Sequence, residues 1–217
     1  VQNITIDPVP QATYMNPPAD VTIDCDAIPT SAPDLSFSNT GSGACEIMGT
    51  VSPVISGMAD LCGGTITNEW MTTDLCGRPL NHTQTITVNP VPAPTFNNPP
   101  ADMTVQCDAI PTSAPDLSYS NSETGACEIA GTISPTMSGT GDQCGGNIMF
   151  TWDFTDQCGN NINHVQTITI DPIPQASFVN PPADMTVQCD AIPTSAPDLM
   201  YTNNQSGVCE ISGTVAP

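Results

Sequence analysis

The chain has 217 residues with no lysine, one basic side chain (Arg78) and 22 carboxylates, for a formal net charge of −21 at pH 7. Phosphate recognition draws on Lys and Arg, so this balance excludes nucleic acid as a partner, and an anionic membrane surface repels the chain. No apolar run approaches the roughly 20 residues of a membrane-spanning helix, so no direct membrane insertion is expected.

An 82-residue period runs through the chain without slippage. Cys25, Cys107 and Cys189 keep that step, as do Cys45, Cys127 and Cys209, and the pairs Cys62/Cys144 and Cys76/Cys158. Asn16-Pro17-Pro18-Ala19-Asp20 returns at Asn98 and Asn180, and Cys25-Asp26-Ala27-Ile28-Pro29 returns at Cys107 and Cys189. A fixed long period marks an array of like modules. In this frame residues 1–8 are the last strand of a preceding repeat. Residues 9–90 and 91–172 are complete repeats, and 173–217 is the first part of a further one. Both ends therefore read as cut from a longer polymer. Four cysteines in a small module with few aromatics predict two disulfides per module and an extracellular or cell-surface location. Zinc is disfavoured, because there is no Cys-x-x-Cys and His82 and His164 are the only histidines.

Within a repeat the apolar residues alternate and helical periodicity is absent, which predicts strands. In the second copy they are expected at 103–107, 127–133, 147–156 and 165–170. The third of these is the clearest, with Ile148, Phe150, Trp152 and Phe154 on one face. Trp152 and its counterpart Trp70 are expected to anchor the core rather than stack on sugars. Gly139-Thr140-Gly141-Asp142, Gly145-Gly146 and Gly159-Asn160-Asn161 read as turns. Short strands joined in this way predict an all-β fold of tandem immunoglobulin-like β-sandwich repeats. Asp171-Pro172-Ile173-Pro174 reads as a short semi-rigid linker, which places the repeats end to end in an extended rod.

Trp152-x-x-x-Asp156-x-Cys158-Gly159-Asn160, followed by Gln166-Thr167-Ile168-Thr169-Ile170, resembles the HYR-like, immunoglobulin-type repeats of Bacteroidota cell-surface proteins. The first copy carries Trp70-x-x-x-Asp74-x-Cys76-Gly77 and then Gln84-Thr85-Ile86-Thr87-Val88. Such repeats occur in giant gliding-motility adhesins and other substrates of the type IX secretion system. The resemblance implies an exported, non-catalytic, adhesive or structural role. Many members carry a further cysteine just before the Gln-Thr-Ile strand, where this chain has His82 and His164.

Four cysteines allow three pairings within a repeat. Cys144 and Cys158 bracket a strand of about ten residues, some 33 Å long, whereas a disulfide needs Cα atoms within about 7 Å. That argues against Cys144–Cys158 and its complement Cys107–Cys127. In an immunoglobulin-like sandwich Cys107 and Cys144 fall at one end, and Cys127 and Cys158 at the other. The expected bridges are therefore Cys107–Cys144 and Cys127–Cys158, with Cys25–Cys62 and Cys45–Cys76 in the first copy.

A search for catalytic motifs finds no Gly-x-Ser-x-Gly, no His-Glu-x-x-His and no P-loop, so no enzyme is expected. No cofactor is expected either, except that recurrent carboxylates make calcium a candidate. The candidate ligands are Asp20, Asp26, Asp102, Asp108, Asp184 and Asp190. No linear calcium loop is present, and turn-capping explains Asp near Pro and Asn equally well. The leading functional reading is a stalk segment of a long secreted bacterial surface fibre. Its partners would be further repeats of the same chain, with surface polysaccharide or other cells as candidate targets of many weak contacts. The alternatives are an array of carbohydrate-binding modules on a secreted enzyme, or a self-assembling extracellular filament. The first of these would draw on Tyr14, Phe96 and Phe178 or on Phe37, Tyr119 and Tyr201.

Overall fold

A computed structural model describes residues 1–217. The chain is all-β, with a few single-turn 3-10 segments and no α-helix. The first repeat holds β1 (Thr13–Tyr14), β2 (Val21–Ile23), β3 (Leu35–Ser38), β4 (Met48–Val51), β5 (Val54–Asp60), β6 (Gly63–Thr73) and β7 (Pro79–Val88). The second repeats them as β8 (Thr95–Phe96), β9 (Met103–Val105), β10 (Leu117–Ser120), β11 (Ala130–Ile133), β12 (Thr136–Asp142), β13 (Gly145–Thr155) and β14 (Asn161–Ile170). The third contributes β15 (Ser177–Phe178), β16 (Leu199–Thr202) and β17 (Ser212–Val215).

Each complete repeat is an immunoglobulin-like sandwich of a three-stranded and a four-stranded sheet, ordered β1-β3-β4 and β2-β7-β6-β5 in the first copy. Alternation buries one face of the long central strands, with Ile148, Phe150 and Trp152 of β13 and Gln166, Ile168 and Ile170 of β14 inside. In the second copy Leu117, Phe96 and Ile133 from one sheet pack on Val105, Ile148, Phe150, Trp152, Ile168 and Ile170 of the other. Trp70 and Trp152 are completely buried. The Trp152 indole N–H donates to the Pro115 carbonyl at 3.2 Å, and Trp70 makes the same bond to Pro33 at 3.0 Å. Each tryptophan thus ties the four-stranded sheet to the segment that enters the other sheet. His82 and His164 flank these rings at centroid distances of 5.6 and 5.7 Å, with Nε2 at 2.8 Å from the Pro18 and Pro100 carbonyls.

Strand bounds shift from the sequence expectation at one place that matters below. Cys127 is not in a strand. It closes the 3-10 turn Gly125–Cys127, and pairing resumes only at Ala130. The linkers are pinned by backbone hydrogen bonds. Val91 N–H donates to the Leu61 carbonyl at 2.9 Å, and Ile173 N–H to that of Gln143 at 3.0 Å.

The compact units do not follow the 9–90, 91–172 and 173–217 frame. One unit comprises Val1–Thr95, Ser120–Ala130 and Thr155–Asn160, and the other Phe96–Tyr119, Gly131–Phe154 and Asn161–Pro217. Two loops of the second repeat therefore belong to the unit built on the first.

Candidate functional site

The cysteines sit on four loops of each complete repeat, two at each end. In the first copy Cys25 opens the 3-10 turn after β2, and Cys62 lies in the β5–β6 turn. Ile23 pairs with Val88, and Val88 with Gly64, so these two cysteines share one end of their sheet. Cys76 lies in the β6–β7 turn at the other end, where Thr73 faces Pro79. Gln11 donates to the Pro79 carbonyl at 3.1 Å, and Thr13 pairs with Ser38, which brings the 39–47 loop and Cys45 to that same end.

The bridges correct the expected pairing. Cys25 joins Cys127, Cys62 joins Cys158 and Cys107 joins Cys209, with Cα separations of 5.6, 5.2 and 5.8 Å. These lie within the usual disulfide range. Cys25–Cys62, Cys45–Cys76, Cys107–Cys144 and Cys127–Cys158 do not form. Cysteines at one end of a repeat do not bond each other. Each bridged cysteine is joined to one at the opposite end of the neighbouring repeat, and Cys127 and Cys158 lie on the 120–130 and 155–160 loops that belong to the unit of the first repeat. The sequence separations are 102, 96 and 102 residues, each longer than one 82-residue period. Cys45, Cys76, Cys144 and Cys189 are free and exposed.

Most of the cysteine loops are held by a recurrent polar side chain. Asp60, Asp74, Asp142 and Asp156 all stand two residues before a cysteine. Their carboxylates accept the cysteine N–H at 2.8, 2.9, 2.7 and 2.9 Å. This Asp-x-Cys turn presents the thiol in a fixed direction. Asp156 also accepts the Asn160 N–H at 2.8 Å and the Asn160 side-chain amide at 2.9 Å. In the first copy Arg78 replaces Asn160. It donates to Asp74 at 2.7 Å and to the Val9 and Pro10 carbonyls at 2.9 Å each, tying down the incoming linker.

On the other loop, Asn121 is buried and makes three side-chain hydrogen bonds. Its amide donates to the Cys127 carbonyl at 2.9 Å, and its oxygen accepts from Ile129 and Glu123 N–H at 3.0 and 3.2 Å. Asn39 and Asn203 do the same beside Cys45 and Cys209. Gly125 just before Cys127 has φ +66°, a conformation that a side chain strains. Asn121→Ala strands the Ile129 N–H in the interior and is expected to cost about 2–3 kcal/mol in denaturant unfolding.

Burial alone pushes the Asp156 carboxyl up, but hydrogen bonds from the Asn160 side chain and from the Asn160, Cys158 and Gly159 backbones outweigh it and hold the group below its usual range. Asp74 is lowered against the same burial by the Arg78 and Cys76 backbones, the Arg78 side chain and its charge. A carboxylate depressed in the folded state contributes stability above its unfolded value and loses it as pH falls through the folded one. The melting temperature is therefore expected to drop as pH falls below the normal carboxylate range. The slope should flatten in Asp74→Asn/Asp156→Asn, as calorimetry across pH would show.

The six aspartates considered for calcium are not brought together, and no three His, Cys, Asp or Glu side chains group closely enough to share an ion. Asp20 and Asp102 instead accept the Thr85 and Thr167 N–H at 2.7 Å, fastening the entries of β2 and β9 to β7 and β14. Asp26, Asp108, Asp184 and Asp190 are exposed. A cleft beside the Cys25–Cys127 bridge carries Asp24, Asp26 and Glu123, and Asp24 accepts from the Asn89 amide at 3.1 Å.

No helix is long and apolar enough to cross a membrane. Three disulfides in an all-β repeat chain indicate an extracellular or surface protein. No curated protein matches the chain. Residues 95–170, nearly the whole of the second sandwich with its Cys107, Cys127, Cys144 and Cys158, match the family model described as an HYR-like domain with 4 cysteines.

Proposed function

We propose that the chain is a structural and adhesive stalk segment of a long secreted bacterial surface fibre, of the kind built from HYR-like repeats in exported gliding adhesins. The observation that carries this reading is the linkage of successive repeats by disulfides, since a bridge that reaches into the next module serves an array and adds nothing to an isolated domain. Pinned linkers and hydrogen-bonded cysteine loops support it, because they hold the linkers and the bridging cysteines in place. The role is mechanical rather than catalytic. Further repeats of the same chain are its first partners, and weak contacts with surface polysaccharide or other cells multiply along the array by avidity. Small-angle scattering on the oxidised 217-residue chain tests the stalk. A maximum dimension near three module lengths is expected. An envelope the size of one compact domain of this chain length overturns it.

A further inference from the structure

Disulfides that step from repeat to repeat do more than staple a fold. They change the covalent path along which tension travels. Cys25 is joined to Cys127, and from Cys127 the chain runs less than a quarter of a repeat back to Cys107, which is joined to Cys209. A pull applied to the ends therefore need not run through the whole of each repeat. A bridge of the second kind, repeated at each period, gives a path that is shorter still; within residues 1–217 one such bridge is present and Cys144 is free. Cys62 is joined to Cys158, and one strand back from Cys158 lies Cys144, the equivalent of Cys62 one period on.

The segment from Cys144 to Cys158 contains β13, whose 11 residues are already extended. At about 3.3 Å per residue the strand spans roughly 36 Å, against a contour limit of about 50 Å for the whole segment. Little slack remains in that line even after every hydrogen bond and packing contact is lost. Non-covalent unfolding therefore cannot release the repeat's length.

We propose that the inter-repeat bridges form a covalent ladder, in which extended strands of the β13 type, joined by bridges of the Cys62–Cys158 type, act as a nearly inextensible cable. Folding serves to place the cysteines, and the bonds then bear the load. An ordinary sandwich array lengthens several-fold when its domains unfold in turn, whereas this one holds its length until a disulfide is reduced. The biological meaning rests on the stalk reading, but the ladder is tested by contour length alone.

The experiment is single-molecule extension of the 217-residue chain held at residues 1 and 217, with and without a dithiol reductant. In the oxidised chain the shortest path runs from Val1 to Cys25, from Cys127 back to Cys107 and from Cys209 to Pro217, roughly a quarter of the chain. The expected fully stretched length is about 190 Å, rising about four-fold to roughly 760 Å on reduction. In Cys25→Ser/Cys127→Ser the shortest path runs instead from Val1 to Cys107 and from Cys209 to Pro217, so an oxidised length of about 400 Å is expected. Bridges closed within each repeat would leave about two-thirds of the chain in the path, or about 510 Å in the unsubstituted chain. That length, or one unchanged by reductant, overturns the ladder. A compact scattering envelope together with the short oxidised contour would sink the stalk and leave the ladder standing.

Discussion

Removing the Cys25–Cys127 bridge as a pair, Cys25→Ser with Cys127→Ser, is expected to destabilise the unit built on the first repeat by about 4 kcal/mol. The bridge closes a span of 102 residues, and even with Cys62–Cys158 in place a long loop is still freed in the unfolded chain. The chain-entropy cost of such loops grows only with the logarithm of their length, so the second bridge lowers the effect modestly. The informative control is Cys45→Ser. Cys45 is the counterpart of Cys127 in the repeat, yet it is free and exposed. Its substitution is expected to stay within about 0.5 kcal/mol. If Cys45 were bonded to Cys76, its substitution would itself cost about 2–4 kcal/mol. Guanidinium unfolding of both variants under non-reducing conditions distinguishes these outcomes.

The second large effect is expected at Trp152. Its ring is fully buried among Ile148, Phe150 and Ile168, and its N–H reaches the Pro115 carbonyl across to the other sheet. Trp152→Ala removes that packing and the hydrogen bond together and is expected to cost about 3–5 kcal/mol. Trp152→Phe keeps most of the apolar volume but leaves the Pro115 carbonyl short of a donor, so a loss of about 1–2 kcal/mol is expected. Near-equal effects of the two variants would mean that the indole N–H, and not the burial, dominates.

Much of the sandwich is legible in the residues. The alternation of Ile148, Phe150 and Trp152 marks β13 to within two residues at its start and one at its end. The strand-length argument that keeps Cys144 from Cys158 holds, and so does the assignment of cysteines to opposite ends. What the residues do not disclose is which copy supplies the partner. In a strict 82-residue period, a cysteine at one end of a repeat and its equivalent one period later have the same neighbours, so spacing and local sequence cannot separate the two. Only the packing of the 120–130 and 155–160 loops against the preceding repeat decides it.

Two recurrent features are easily misread in the sequence. Asn39, Asn121 and Asn203 each sit before a Thr, Ser or Asn and look like ordinary turn residues, and only their buried position shows them to be the clamps of a cysteine loop. The carboxylates suggest a cation because so few basic side chains are present. Several of them are acceptors of backbone N–H groups, at Asp20, Asp60, Asp74, Asp102, Asp142 and Asp156. The Asp-x-Cys repeat is visible at four positions, and its signal is local chemistry rather than metal spacing.

Disulfide linkage between repeats is tested most directly by peptide mapping of the intact chain under non-reducing conditions, with proteolysis at acid pH to prevent thiol exchange. Linked peptides containing Cys25 with Cys127, Cys62 with Cys158 and Cys107 with Cys209 are expected, with Cys45, Cys76, Cys144 and Cys189 recovered as thiols. Recovery of Cys25 with Cys62, or of Cys107 with Cys144, would contradict it.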